Sequence, residues 1–257
     1  MKRDDGVLVS AHRCLTRAAV ERALGLGVEF VEFDVQRCGD GTFVLFHDAV
    51  VEVDGDDVPL SDLTFDGLYA IRPDVLLFHE VLGLLAESGI RAHLDLKFVS
   101  PDPAYELTST TYEVAATALA VQLLGAENLV VTTLDDRSVR AIRDWADVLG
   151  HELLVGLSLG RGVTGFPVWR QVKVRASEVW PHVRYHHSRA NVVVAHHWLA
   201  RLGVARFARR RRLPLLVWTV NTEDSLRHWL RPGRAWLVTT NEPELALRVR
   251  SAERLRP

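Results

Sequence analysis

The chain has 257 residues, is 48% hydrophobic, and carries 31 basic against 33 acidic residues for a formal net charge of -2. That length suits one large core spanning 1–257, and α/β barrels reach this size as a single domain. The balanced charge gives no sign of nucleic acid binding, two cysteines (Cys14 and Cys38) exclude a disulfide framework, and no apolar run approaches the roughly 20 residues of a transmembrane segment.

The opening MKRDDGVLVSAHR lacks the apolar core of a signal peptide. Together with the cysteine usage, this predicts a cytoplasmic protein. Lysine occurs only at positions 2, 97 and 173, which makes Lys97 conspicuous.

Val7–His12 reads as a strand with Leu8, Ser10 and His12 on one face. Thr16 is placed to cap a helix over Arg17–Leu26, closed by Gly27. Val28–Val35 is the next strand, with Glu32 and Asp34 on one face and Val31, Phe33 and Val35 on the other. Gly39, Asp40 and Gly41 turn the chain, the glycines supplying positive φ, and Thr42–His47 returns as a further strand. Ser61 or Asp62 would cap a short helix to about Ile71. Phe78–Ser88 is a helix closed by Gly89. Arg91–Lys97 is a strand that sets His93, Asp95 and Lys97 on one face.

A long helix is expected over Ala104–Leu124, then a strand over Leu129–Thr133, a helix over Asp136–Leu149 and a strand over Leu153–Leu157. Ser158–Gln171 is rich in Gly, Pro and aromatics and reads as loop, and Val172–Arg189 has no clear assignment. Val192–His196, Leu215–Val220 and Ala235–Thr239 are strands. Each is followed by a helix: Trp198–Arg211, Glu223–Leu230 and Glu242–Arg250, the last with Pro243 in its first turn.

Eight strand–helix units predict a (β/α)8 TIM barrel with Thr42–His47 as an extra strand after the second barrel strand. An open doubly wound sheet is the alternative. It is weakened by the absence of a phosphate-binding glycine motif after the first strand.

In a barrel, the carboxyl ends of the strands meet on one rim. That rim would collect His12, Glu32, Asp34, His47, Asp95 and Lys97. Three carboxylates without a required thiolate suit a hard divalent cation such as Mg²⁺, Ca²⁺ or Mn²⁺. Two imidazoles beside it can divide proton transfer. Arg13 and Lys97 would neutralise an anion, and a phosphate diester is the natural candidate.

Taken together, AHRC, GVEFVEFDV, GDGTFVLFHD, HLDLK, LLVWTVNTEDSLRHWL and VTTNEPELA resemble the glycerophosphodiester phosphodiesterases, in order and over nearly the whole chain. The resemblance implies a metal-dependent barrel acting on small phosphodiesters or lysophospholipid-like esters. His12 and His47 would be the acid/base pair. Glu32, Asp34 and Asp95 would be the metal ligands, with Mg²⁺ or Ca²⁺ as the ion. Arg13 and Lys97 would hold phosphate, and Trp218 would line the pocket.

The sequence departs from that family at several points. Cys14 stands for Gly, Asp95 for Glu and Asn241 for Asp. The Pro-Glu-Asn-Thr segment after the opening motif is missing, and the insertion after His47-Asp48 is short. The compact spacing resembles the related sphingomyelinase D branch, whose members release cyclic phosphates. A non-catalytic barrel binding phosphorylated ligands is a further alternative.

His196 ends a strand and is a candidate for substrate contact. The remaining histidines near it do not match a zinc spacing. Phe166, Pro167, Val168 and Trp169 are expected to pack back onto the barrel, with peripheral lipid contact as the competing possibility. Arg209–Arg212 ends a helix, where cations suit the dipole.

Overall fold

The computed structural model describes residues 6–254 apart from 161, 163, 164 and 166. Its strands are β1 (Leu8–Ala11), β2 (Phe30–Arg37), β3 (Phe43–Leu45), β4 (Val50–Val53), β5 (Asp56–Pro59), β6 (Leu76–Leu77), β7 (Arg91–Leu96), β8 (Leu129–Thr133), β9 (Leu154–Leu159), β10 (Val192–His196), β11 (Leu215–Trp218) and β12 (Leu237–Thr240). Parallel pairing runs β1-β12-β11-β10-β9-β8-β7-β2, and β2 closes the ring on β1. The fold is a closed eight-stranded parallel barrel surrounded by helices.

Alternation along each strand divides the core in two. Phe30, Val130, Val192, Val194, Leu216 and Leu237 fill the barrel interior. Val31, Phe33, Val35, Leu94, Val131, Val155, Val193, Val217 and Val238 face outward beneath the helices. One step further along β2 from Phe30, the inward face becomes Glu32 and then Asp34, both buried. An apolar plug therefore sits below a charged layer at the carboxyl ends.

The extra strand has a simple cause. β1 pairs only with the start of β2, Ser10 with Phe30 and Ala11 with Val31. This leaves the far end of β2 with an open edge, and β3 pairs there antiparallel, Val35 opposite Leu45. Unpaired backbone groups at such an edge would be costly. The turn between the two strands is tied down by Asp40, which accepts from the backbone N–H of Thr42 at 3.0 Å and of Phe65 at 2.8 Å.

Gly41 has the expected positive φ, +96°. Gly39 does not, and is needed for another reason: a Cβ there would lie 2.4 Å from the carbonyl oxygen of Ser61.

Several boundaries differ from the sequence reading. The cap of Phe65–Ile71 is Thr64, whose hydroxyl accepts from Gly67 N. The long helix begins at Tyr112, after two 3-10 turns, Asp102–Glu106 and Thr108–Thr110. Much of the stretch read as loop or left unassigned is helical, Val168–Val179 and His182–Ser188. Pairing with its neighbours draws β9 on to Leu159. The β4–β5 hairpin and β6 carry no pattern strong enough to read in advance. Among the described residues, no helix is long and apolar enough to cross a membrane.

Candidate active site at the carboxyl ends of the strands

A cavity of about 220 Å³ opens at this end of the barrel, lined among others by His12, Arg13, Glu32, Asp34, His47, Asp95, Lys97 and Trp218. The structure brings these eight sequence candidates together. His196 is the exception and does not line the cavity. It stands behind Trp218, edge to face with ring centroids 5.2 Å apart, and burial pushes its imidazole down to about 4.

Oxygens of Glu32, Asp34 and Asp95 lie within 4.8 Å of one another. Their strands explain this: β2 and β7 pair in register, Glu32 beside His93 and Asp34 beside Asp95. Lys97 bridges two of the acids, 3.0 Å from Asp34 Oδ1 and in contact with Asp95 Oδ2. Burial, then Asp34 and Asp95, holds the Glu32 carboxyl well above its ordinary range. Burial also raises Asp34, against the pull of Lys97. For Lys97 burial works downward, but Asp95 and Asp34 outweigh it and hold the ammonium above its usual value.

The donor set fits a divalent cation. All three ligand groups are hard oxygens. Asp34 Oδ2 is buried without a hydrogen-bond partner, and the lysine leaves three clustered acids short of neutrality. A buried carboxylate oxygen with no partner is costly, and a cation at this point would relieve the cost.

Two backbone donors come from the bend after β1. Arg13 N–H donates to Glu32 Oε2 at 2.6 Å, and Cys14 N–H to the Glu32 carbonyl at 2.9 Å. Arg13 sits at φ +56°, a conformation that costs a side-chain-bearing residue energy and persists where neighbours enforce it. The bend directs the guanidinium over the cavity, where Nε lies 4.0 Å from Asp34 Oδ2.

The two imidazoles are held differently. His12 Nδ1 is 2.6 Å from Asn241 Oδ1. It therefore donates there, and Nε2 faces Glu32 Oε2 at 3.8 Å. Burial pushes His12 down to about 4, with the Asn241 hydrogen bond opposing and Arg13 adding to the fall. His47 Nδ1 is 2.7 Å from Asp48 Oδ1, and its Nε2 accepts from the Arg13 guanidinium at 2.6 Å. Phe46 N–H, bonded to the Asp34 carbonyl at 3.1 Å, fixes the segment that delivers His47.

Sequence reasoning missed a layer of supporting residues. Thr132 donates to Asp95 Oδ1 at 2.7 Å and lies 3.2 Å from His93 Nε2. Asn221 Oδ1 accepts from Asn241 N–H at 3.0 Å, fixing the residue that orients His12. Thr132 is on the inward face of β8, and alternation along LVVTT was a usable signal. The Asn221–Asn241 contact joins residues 20 apart, and no local pattern marks it.

Clustered acids, two cationic side chains and two imidazoles meet at one barrel mouth, an arrangement suited to phosphate ester chemistry. Residues 15–245 match the model of the glycerophosphoryl diester phosphodiesterase family, and the chain belongs to that family, whose members are phosphoric diester hydrolases. His12 and Arg13 lie just ahead of the matched span.

No curated protein sequence matches the chain. Solved structures resemble it at low identity. A glycerophosphodiester phosphodiesterase from Parabacteroides distasonis is 14% identical with TM-score 0.73, over 97% of this chain and 99% of that one. An Oleispira antarctica phosphodiesterase in complex with the product sn-glycerol-3-phosphate is 17% identical with TM-score 0.67, over 94% and 96%. A glycerophosphodiester phosphodiesterase from Thermotoga maritima is 20% identical with TM-score 0.61, over 97% and 98%. At these identities the likeness establishes the barrel fold.

Proposed function

We propose that the protein is a divalent-metal-dependent phosphodiesterase that cleaves glycerophosphodiesters or lysophospholipid-like phosphodiesters, with His12 and His47 sharing proton transfer. The observation that carries this reading is the gathering of three carboxylates within 4.8 Å of one another in the cavity that also holds both imidazoles, Arg13 and Lys97. The product named for the Oleispira antarctica structure, sn-glycerol-3-phosphate, supports glycerol phosphate as the part of the substrate that the cavity grips.

Glu32, Asp34 and Asp95 would hold the ion, Mg²⁺ or Ca²⁺. Once bound, it would supply positive charge to a non-bridging phosphate oxygen. Arg13 and Lys97 add fixed charge to the same anion. His12 is the base: its Nδ1–H is committed to Asn241, so the Nε2 lone pair faces the cavity, and burial keeps the ring neutral at physiological pH. It takes the proton from the attacking water or substrate hydroxyl. His47 is the acid. Its Nδ1–H donates to Asp48; once Arg13 has turned to the phosphate, the freed Nε2 lone pair takes up a proton from water and then delivers it to the leaving oxygen. Trp218 presents an unpartnered, buried Nε1–H beside the cavity and is a donor for a substrate oxygen.

The test is turnover of glycerophosphocholine and lysophosphatidylcholine, followed by phosphorus NMR with Mg²⁺, with Ca²⁺ and with chelator. Turnover that needs the metal and is lost in both His12→Ala and His47→Ala supports the reading. A cyclic phosphate as final product assigns the nucleophile to the substrate hydroxyl. Full activity in either histidine variant removes the assigned roles.

A further inference from the structure

The sequence is electrically lopsided. Between residues 153 and 222 it holds twelve basic residues and one acidic residue, Glu178, in a chain whose net charge is -2. Glu178 is buried and ion-paired to Arg175 at 2.6 Å, and Arg184 and Arg189 pair with Asp136, Asp144 and Asp147 of the preceding helix, yet the stretch keeps an excess of positive charge.

Helix Val168–Val179 follows β9, so its first turns stand at the active rim. Gly162, in the segment that joins the two, lines the catalytic cavity. These turns do not pack back onto the barrel. Val168, Trp169 and Val172 are 75%, 68% and 63% exposed. Pro167 is exposed as well, and Phe166 lies outside the described residues. The helix packs against the segment Ala200–Val204, where the chain breaks from helical geometry at Gly203, φ +146°. There Leu202, 64% exposed, adds a fourth large apolar side chain from the neighbouring element. Exposed Arg170, Lys173 and Arg201 are interleaved with these residues.

We propose that Val168, Trp169, Val172 and Leu202, framed by Arg170, Lys173 and Arg201, form a docking surface for an anionic lipid bilayer and seat the cavity mouth on it. Charge complementarity selects this occupant. Negative headgroups attract clustered lysine and arginine, and an exposed tryptophan with aliphatic neighbours inserts at the headgroup boundary. Trp180 and Val183, also exposed, lie beyond the other end of the helix and are not part of the patch.

The experiment is co-sedimentation of the full chain with vesicles of phosphatidylcholine alone and of equal parts phosphatidylcholine and phosphatidylglycerol. It is read without turnover, so it stands apart from the catalytic assignment. The wild type should pellet with the anionic vesicles and be released by salt. Trp169→Ser with Val172→Ser should abolish pelleting. Lys173→Glu with Arg201→Glu should weaken it about tenfold or more, each basic residue contributing roughly 1 kcal/mol near the surface. Circular dichroism and unchanged turnover of soluble glycerophosphocholine would show that these variants remain folded. No pelleting of the wild type, or pelleting indifferent to both double variants, overturns the proposal. So does a dimer in sedimentation velocity that Trp169→Ser dissolves without any vesicle binding, since the patch would then cover a second copy of the chain.

Discussion

The guanidinium of Arg13 donates to Nε2 of His47 at 2.6 Å, so the proposed phosphate-binding cation and the proposed acid occupy each other. A guanidinium only donates. An anion entering the cavity competes for it and frees His47 in the same event. Arg13→Ala is expected to lower kcat/KM by about 10²–10³, the scale of losing one charged donor to a transition-state oxyanion. Arg13→Lys should recover only part, because it lacks the planar fork. The backbone N–H to Glu32 survives in both variants, so metal affinity by calorimetry should stay near wild type. An alanine variant with wild-type kcat/KM would refute the contact's role.

Glu32 ties stability to pH. Its carboxyl is held well above 4.5 by burial and by Asp34 and Asp95, so the folded chain binds that proton more tightly than the unfolded chain. Its stabilising contribution is full below 4.5 and is lost as pH rises through the raised value. His12 and His93, pushed down to about 4 and about 3 chiefly by burial, act in the opposite sense, costing stability as pH falls below their ordinary 6.5. The comparison of wild type with Glu32→Gln isolates the acid. In chelator, the glutamine variant should gain in Tm relative to wild type as pH climbs from 4.5 past neutrality. Adding Mg²⁺ or Ca²⁺ should reverse the order, because the ion rewards the ionised carboxylate. Thermal denaturation across pH, with and without metal, checks both signs.

The barrel and most of its mouth were legible in the sequence for one reason. Inward-facing residues recur at period two, so His12, Glu32, Asp34, Asp95 and Lys97 could be assigned to a rim once the strands were found. The turn was read for the wrong cause at Gly39, where the requirement is space against Ser61 O rather than a positive φ. The late start of the helix at Tyr112 was not legible. Thr111 caps it there, its hydroxyl accepting from Val114 N–H, and the buried Glu113 beside the cap takes partners from three separated segments. For His196, ending a strand at the rim does not decide whether the ring faces the cavity or the tryptophan beside it, and it lies against Trp218.

Thr132 is a positioning residue. Its hydroxyl donates to Asp95 Oδ1 at 2.7 Å, and Lys97 takes the other oxygen. Thr132→Val keeps the volume and removes the donor. Affinity for the divalent ion should fall about 10–100-fold, the usual cost of losing a group that orients a ligand. At saturating metal, kcat should be close to wild type, and Thr132→Ser should restore affinity. Calorimetry of metal binding decides. Equal affinity in the valine variant would mean that Lys97 alone orients Asp95.

Glu113 governs the segment that follows Lys97. Fully buried, it accepts from Ser100 N–H at 3.1 Å and Ser100 Oγ at 2.5 Å, from Tyr105 OH at 2.5 Å and from Ser138 Oγ at 2.6 Å. One side chain thereby ties the exit of β7, the 3-10 turn and the helix after β8. Hydrogen bonds to a charged acceptor contribute about 1.5–3 kcal/mol each and are not additive. Glu113→Ala removes the shared acceptor of four donors and should destabilise the fold by about 3–5 kcal/mol, read as a lower denaturation midpoint. Glu113→Gln keeps the shape but puts an amide donor where only acceptors fit, and should lose about half as much. Because the network sits outside the cavity, folded Glu113→Gln protein should bind metal normally at low temperature. A glutamine variant as stable as wild type would show that the carboxylate's charge is immaterial to the anchor.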